Sequence, residues 1–271
     1  MITASIVTYH NSEEEISKLA TSLLKENVNH IYIIDNSSND LLRTVINDPA
    51  ITYIHSINVG YGKAHNIAIK LASKKNSTYH IIVNPDIEIS HNCISALKEF
   101  MDNKIDCGLV MPQIKYPNGE IQYLCKLLPT PTDLIIRRFI PFSNLQKKID
   151  YTYELRMSNY NKIMEVPSLS GCFMFIRTDI LKQVGGFDES FFMYAEDVDL
   201  CRRIGKISKT FFYPHTYVIH SYEKGSYKNY KLLKYHITSI IKYFNKWGWF
   251  FDKKRTSINQ QCILNIKNNS K

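Results

Sequence analysis

The first hundred residues alternate short runs of β-branched and aromatic side chains with longer stretches whose apolar positions recur at helical spacing. That alternation predicts a parallel sheet covered by helices. The strand-like runs are Ile2 to Thr8, His30 to Asp35, Ile51 to His55 and Tyr79 to Asn84, each followed by polar or glycine-bearing residues. Ser12 with Glu13, Glu14 and Glu15 behind it reads as an N-cap with acids in the first turn, where the helix dipole favours them, and opens a helix to about Lys25. Asn92 to Met101 reads as a further helix, Gly108 to Ile114 as a strand, and Tyr116-Pro117-Asn118-Gly119 as a turn leading into Glu120 to Leu124. Pro129 to Glu165, with Pro131, Pro141 and the basic pair Arg137-Arg138, has no clear period and predicts a loop with short helices. Regularity returns with strand-like Cys172 to Ile176, helix-like Thr178 to Val184, a helix opening near Glu196 and strand-like Thr216 to Ile219.

In an α/β sheet, ligands bind beyond the carboxyl ends of the strands. Those positions are polar here: Thr8-Tyr9-His10-Asn11, Asp35-Asn36-Ser37-Ser38, Asn58-Val59-Gly60-Tyr61-Gly62 and Asn84-Pro85-Asp86. Asp35 can accept from a ribose or a base edge, although Asp-Asn-Ser-Ser also makes an ordinary turn and cap. The glycines of Asn58 to Asn66 permit close backbone approach ahead of a helix start near Lys63. Neither G-x-G-x-x-G nor the Walker spacing is present, which argues against a dinucleotide oxidoreductase and a P-loop nucleotidase.

Pro85 stiffens a turn that aims Asp86 outward at the tip of an apolar strand, where a magnesium or manganese ion can join a carboxylate to phosphate oxygens. The plainer alternative is a capped turn. Further on, Gly185 to Arg203 opens a helix with Glu196, Asp197 and Asp199 behind an aromatic approach of Phe191, Phe192, Met193 and Tyr194. Dipole compensation, with Asp199 paired to Arg202 or Arg203, explains Asp199. The aromatic approach points beyond that, because desolvation raises the basicity of a carboxylate and suits Glu196 or Asp197 to act as general base. His220 at a strand end can complete a metal site, with Lys224 near phosphate, although a lone histidine also serves as a core residue.

The chain has 271 residues, 44% hydrophobic and 22% charged, the balance of an ordinary folded domain. No stretch approaches the roughly 18 apolar residues of a membrane span, and Met1 to His10 lacks signal-peptide character, so a cytoplasmic protein is expected. The six cysteines show no C-x-x-C pair and read as free, buried thiols. The net charge of +9 is concentrated: Lys224 to Arg255 holds eight lysines and one arginine against Asp252 alone. Such a segment is expected to meet something anionic.

Together these motifs resemble glycosyltransferase family 2, and within it the rhamnosyltransferase-like enzymes of O-antigen and capsule assembly. The resemblance runs from Ile6-Val7-Thr8-Tyr9-His10-Asn11 through Asp35 to Ser38, Asn58 to Gly62 with His65-Asn66, Asn84-Pro85-Asp86, Ser170-Gly171, Gly185 to Asp188, Phe192 to Arg203, and His220 with Gly225-Ser226. It implies a GT-A type, Rossmann-like fold: a central, mostly parallel sheet flanked by helices. The catalytic domain would span 1–222, with its nucleotide-binding part at about 1–112 and its acceptor-binding part at about 113–222. A basic, aromatic helical tail would occupy 223–271. By the same resemblance Thr8, Asp35, Asn58, Gly60, Asn66 and Asn84 line the nucleotide-sugar pocket, Asp86 and His220 hold Mg2+ or Mn2+, and Asp197 with Glu196 supplies the base. Gly171 and Tyr194 meet the acceptor. Asn84 stands where related enzymes carry the first aspartate of Asp-x-Asp, leaving Asp86 as the main carboxylate contact.

The implied reaction is inverting transfer, with L-rhamnose from dTDP-rhamnose favoured, to a lipid-linked glycan. UDP-galactose, UDP-N-acetylglucosamine and UDP-galactofuranose remain alternatives, as does a non-catalytic nucleotide-sugar-binding scaffold. From Lys228 to Lys246, Leu233, Ile237, Ile240, Ile241 and Phe244 share a helical face, and Trp247, Trp249, Phe250 and Phe251 follow. This segment either rests on the anionic inner face of the cell membrane or packs on protein, the catalytic domain or a second copy in a homodimer. No nucleic-acid-binding fold accompanies the lysines.

Overall fold

A computed structural model describes residues 1–44, 48–134, 144–221 and 230–269. Arg137, Arg138, Pro141, Lys224, Gly225, Ser226 and Lys228 lie outside the described residues. The strands are β1 Ile2–Thr8, β2 His30–Asp35, β3 Ile51–His55, β4 Tyr79–Val83, β5 Ile87–Ile89, β6 Cys107–Lys115, β7 Cys125–Lys126, β8 Met164–Glu165, β9 Ser168–Leu169, β10 Phe173–Arg177 and β11 Lys209–His220. The helices are α1 Glu13–Lys25, α2 Tyr61–Lys74, α3 Cys93–Asn103, α4 Asn144–Tyr153, α5 Thr178–Val184, α6 Glu196–Ile204, α7 Tyr230–Trp247 and α8 Lys253–Asn269.

Among the described residues, nine strands form one sheet in the order β3-β2-β1-β4-β10-β6-β11-β5, with β8 on β11. The order follows from hydrophobic pattern. Both faces of β2 and β4 are buried, as helix-covered central strands require, whereas β3 at the edge is half-exposed. Ser12 Oγ caps α1 by accepting from Glu15 N at 3.2 Å. Ile16, Leu19, Ala20 and Leu23 form the buried stripe of that helix, and each large one stabilises by roughly 1.5 to 3 kcal/mol.

The chain winds from β1 out to β2 and β3, then returns to place β4 on the other side of β1, all parallel. That reversal opens a crevice at the carboxyl ends of β1 and β4. Beyond it the sheet is mixed. β10 runs antiparallel to both β4 and β6, so its start lies at the rim where β4 ends. β11 runs parallel to β6 and antiparallel to β5, which brings His220 opposite Ile87. Residues 8, 35, 84–86, 171–172 and 220 therefore share one rim although 212 positions separate the first from the last.

Glu120 to Leu124 makes only an isolated bridge, Ile121 to Lys115, before β7 pairs with β9. All six cysteines are free and buried. The tail is packed on the domain. Tyr243 and Phe244 of α7 form a small core with Phe191, flanked by Val198, Ile240 and Trp247, and Cys262 and Ile266 of α8 join the main core. Arg202 and Asp252 make a buried ion pair at 2.5 Å that ties α6 to the start of α8. Among the described residues, no helix is long and apolar enough to cross a membrane.

Candidate active site

On the β1–β2 side of the rim, Asp35 is 1% exposed. It accepts from Thr8 Oγ1 at 3.0 Å, Ser37 N at 2.9 Å and Tyr53 Oη at 2.7 Å. Burial alone would raise its pKa, but these donors outweigh burial and hold the carboxyl below its ordinary value. Asp35 thus stays ionised and fixes the strand ends. Asn36 Oδ1, beside it, is buried and meets no hydrogen-bond donor among the described residues, while its amide reaches Gly60 O at 3.5 Å. Asn58 is exposed and accepts from Gly60 N at 3.1 Å. Gly60 has φ +90°, and a Cβ there would stand 2.3 Å from the Phe192 carbonyl oxygen. Tyr61 N donates to that same oxygen at 2.8 Å. Only glycine allows this approach, which seats the 58–62 loop against the segment that leads to the acids.

Asp86 and His220 meet at the other side. Their Oδ2 and Nε2 atoms are 3.4 Å apart, and Ser221 N holds the Asp86 carbonyl at 3.1 Å. Asp86 Oδ1 is buried with no donor among the described residues, a position that suits a cation. No group of three or more His, Cys, Asp or Glu is placed to hold a metal ion by itself among the described residues. A divalent ion here would take these two protein ligands and complete its shell from phosphate oxygens and water, as magnesium commonly does.

The acids arrive on strained backbone. Tyr194 and Ala195 both have positive φ, +72° and +62°, at a typical cost of about 1 to 3 kcal/mol each. Neighbours hold them there. Ser239 Oγ donates to Met193 O at 2.8 Å, Tyr235 packs on Phe192, and His236 meets Tyr194 edge-on. α6 then starts with Glu196, and Asp197 Oδ2 accepts from Gly171 N at 3.1 Å. A side chain at Gly171 would press on Asp197 Cβ at 3.3 Å.

Tyr61, which sequence reasoning quoted only as part of a loop, stands at the centre. Its hydroxyl lies 2.7 Å from Gly171 O and 3.1 Å from Asn84 Oδ1, and its ring rests on His65, itself bonded to Ser5 Oγ at 2.7 Å. Burial raises the Tyr61 pKa well above its usual value, and the charges of Glu196, Cys172, Asp197 and Asp86 add to this. Burial likewise pushes the Cys172 thiol up to about 12, with Asp86 and Asp197 contributing. Asp86 and Asp197 therefore act on the same two side chains, although 111 positions separate them. Glu196 is buried, and burial followed by the Asp197 charge raises its carboxyl to about 8. Both effects favour its protonated form.

Asn66 is not gathered with these groups. Its amide accepts from Phe187 N at 2.8 Å and donates to Phe187 O at 2.9 Å, and so fastens α2 to the 185–189 turn. Asp199 pairs with Arg203 at 2.7 Å rather than with Arg202, which reaches Asp252. Lys246 and Trp247 of α7 also hold Asp199, at 2.7 and 2.8 Å.

The model of Glycosyl transferase family 2 matches residues 5–185. The chain belongs to this family. It is 25% identical over 248 residues to the rhamnosyltransferase WbbL of Escherichia coli, covering 88% of this chain and 90% of that protein. It is 30% identical over 162 residues to the N-acetylglucosaminyl-diphospho-decaprenol L-rhamnosyltransferase of Mycobacterium tuberculosis, covering 55% of this chain and 51% of that protein. Among solved structures, GalNAc-T7 with UDP, GalNAc and Mn2+ superposes with a TM-score of 0.63 at 15% identity, over 89% of this chain and 47% of that one. The mannosyltransferase PcManGT of Pyrobaculum calidifontis, with GDP-Man and Mn2+, gives 0.58 at 16% identity, over 89% of this chain and 64% of that one. These likenesses establish the GT-A fold of this family 2 glycosyltransferase. Glu196, Asp197 and His220 all lie beyond the matched span.

Proposed function

We propose that this glycosyltransferase moves a sugar, L-rhamnose from dTDP-rhamnose in the favoured case, to a hydroxyl of a lipid-linked glycan with inversion at the anomeric carbon. The observation that carries the reading is Tyr61, whose hydroxyl reaches both Asn84, two residues from Asp86, and Gly171, which holds Asp197. The rhamnosyltransferases among the relatives support the donor, and the decaprenol-linked substrate in the mycobacterial name supports the acceptor.

The donor nucleotide lies along Thr8, Asp35, Asn58, Gly60 and Asn84, with Asn66 holding the turn behind them. Asp86 and His220 would hold Mg2+ or Mn2+, which when bound would neutralise the charge of the departing diphosphate. Gly171 and Tyr194 border the acceptor. Asp197 removes the proton of the acceptor hydroxyl as its oxygen bonds to the anomeric carbon, and the bond from that carbon to the diphosphate oxygen breaks on the opposite face. Glu196, holding its own proton, withholds a second negative charge from the incoming alcohol.

The outward side of the tail supports a peripheral place on an anionic membrane. Phe250 and Phe251 are 71% and 99% exposed, and Ile237, Ile241, Lys234, Lys253 and Lys254 are also exposed. The test is transfer by Asp197→Asn. Loss of a general base lowers turnover by about 100-fold to 10,000-fold, with donor affinity retained, and undiminished turnover removes Asp197 from this role. A screen of dTDP-rhamnose against UDP-galactose, UDP-N-acetylglucosamine and UDP-galactofuranose assigns the donor, and binding of all four without turnover would mark a scaffold.

A further inference from the structure

Gln122 follows the 116–119 turn and is 3% exposed. Its backbone N–H donates to Ile114 O at 2.8 Å, which anchors it to the end of β6 beside His220 at the end of β11. Its side-chain amide meets that one histidine twice. Gln122 Nε2 donates to the His220 carbonyl at 2.7 Å, and Gln122 Oε1 lies 2.9 Å from His220 Nδ1.

The orientation of this amide is fixed by its neighbours. A carbonyl oxygen can only accept, so the NH2 group must face His220 O, and the Lys115 carbonyl at 3.5 Å lies on the same side. Turning the amide over would set two carbonyl oxygens against each other at 2.7 Å. Oε1 therefore faces Nδ1 and requires a proton on it. In a neutral imidazole the lone pair then belongs to Nε2, the atom directed at Asp86 Oδ2.

We infer that Gln122 is a positioning residue that sets the His220 tautomer, presenting the Nε2 lone pair beside Asp86 to a divalent cation. The inference rests on the reading of Asp86 and His220 as cation ligands. It assigns Gln122 the task that outer-shell acceptors perform for metal-binding histidines, where their loss typically weakens metal binding about 10-fold to 100-fold. The residue couples ring to backbone, because its other hydrogen bond grips the carbonyl of the same histidine. Ring rotation about χ2 and tautomer exchange are both opposed by one side chain.

The test uses the full chain labelled with 15N-histidine, with the His220 signals assigned by their loss in His220→Asn. In the metal-free protein the expected spectrum of the neutral ring has the proton on Nδ1 and none on Nε2. Mn2+ affinity is then measured by electron paramagnetic resonance, with and without dTDP. Gln122→Leu is expected to bind Mn2+ 10-fold to 100-fold more weakly and to lose the single tautomer. A neutral ring with its proton on Nε2 in the unaltered protein overturns the inference without touching the cation reading, and so does unchanged Mn2+ affinity in Gln122→Leu. Failure of the unaltered protein to bind Mn2+ under either condition overturns the cation reading and the inference with it.

Discussion

Glu196→Gln is a thermodynamic probe of the acid pair that needs no substrate. Glu196 is 6% exposed, and its Oε2 meets no donor among the described residues. Burial first, and the charge of Asp197 second, lift its carboxyl from an ordinary 4.5 to about 8. Between those values the folded chain holds a proton that the unfolded chain releases. Stability is therefore full below pH 4.5 and drains away as pH climbs through 8. At about 1.36 kcal/mol per pH unit, the loss amounts to about 5 kcal/mol at most. Water entry and relaxation around a charged Glu196 reduce this, so about 2 to 5 kcal/mol is expected. Glutamine matches the protonated acid in shape and carries no titration. Urea unfolding followed by the fluorescence of Trp247 and Trp249 should give nearly equal stabilities for the two proteins at pH 5. At pH 9 the variant should be the more stable by that amount. Curves that stay parallel from pH 5 to pH 9 would refute the buried, proton-holding state of Glu196.

Gly60→Ala forces a Cβ to within 2.3 Å of the Phe192 oxygen on a backbone with φ +90° and ψ 171°. Strain and overpacking together should lower stability by about 2 to 5 kcal/mol and loosen the loop against the acid segment, read as a lower unfolding midpoint and weaker nucleotide binding. Asp252→Ala removes the partner of buried Arg202 and the side-chain acceptor of Arg255 N. Breaking a buried pair from one side costs about 3 to 5 kcal/mol, and thermal unfolding should show it, whereas a loss under 1 kcal/mol would mean that the tail is not held by this pair. Tyr61→Phe deletes the hydroxyl that reaches both Asn84 and Gly171. Turnover should fall with the nucleotide still bound, and unchanged kinetics would deny Tyr61 its bridging part.

The nucleotide half of the fold was legible because its strands are short-range objects. Ile2–Thr8, His30–Asp35 and Ile51–His55 carry their own boundaries in β-branched runs that stop at polar residues, and Ser12 announces α1 with a side-chain cap. Asp86 and His220 were visible as lone groups at strand ends. Their proximity was expected through the family resemblance alone, because it depends on β5 running antiparallel to β11, which no local pattern shows. Gln122 escaped for a related reason: an isolated glutamine has no periodicity, and its meaning lies in a carbonyl and a ring nitrogen 98 residues away. The tail showed its apolar stripe clearly, but sequence could not divide that stripe. Tyr243 and Phe244 turn inward, while Ile237 and Ile241 on neighbouring positions of the same helix stay in solvent.

The clasp that α7 places on residues 190–195 has a practical bearing on where this enzyme can be cut. A fragment trimmed to the end of β11 would forfeit Ser239, Lys246 and Trp247. Tyr194 and Ala195 would then be at liberty to relax into commoner backbone shapes, swinging the carboxylates off their mark while the sheet stayed intact. Such a truncate, which also loses Asp252 from Arg202 and Cys262 and Ile266 from the core, would be inert for want of a correctly held site, so its silence would say nothing against the chemistry.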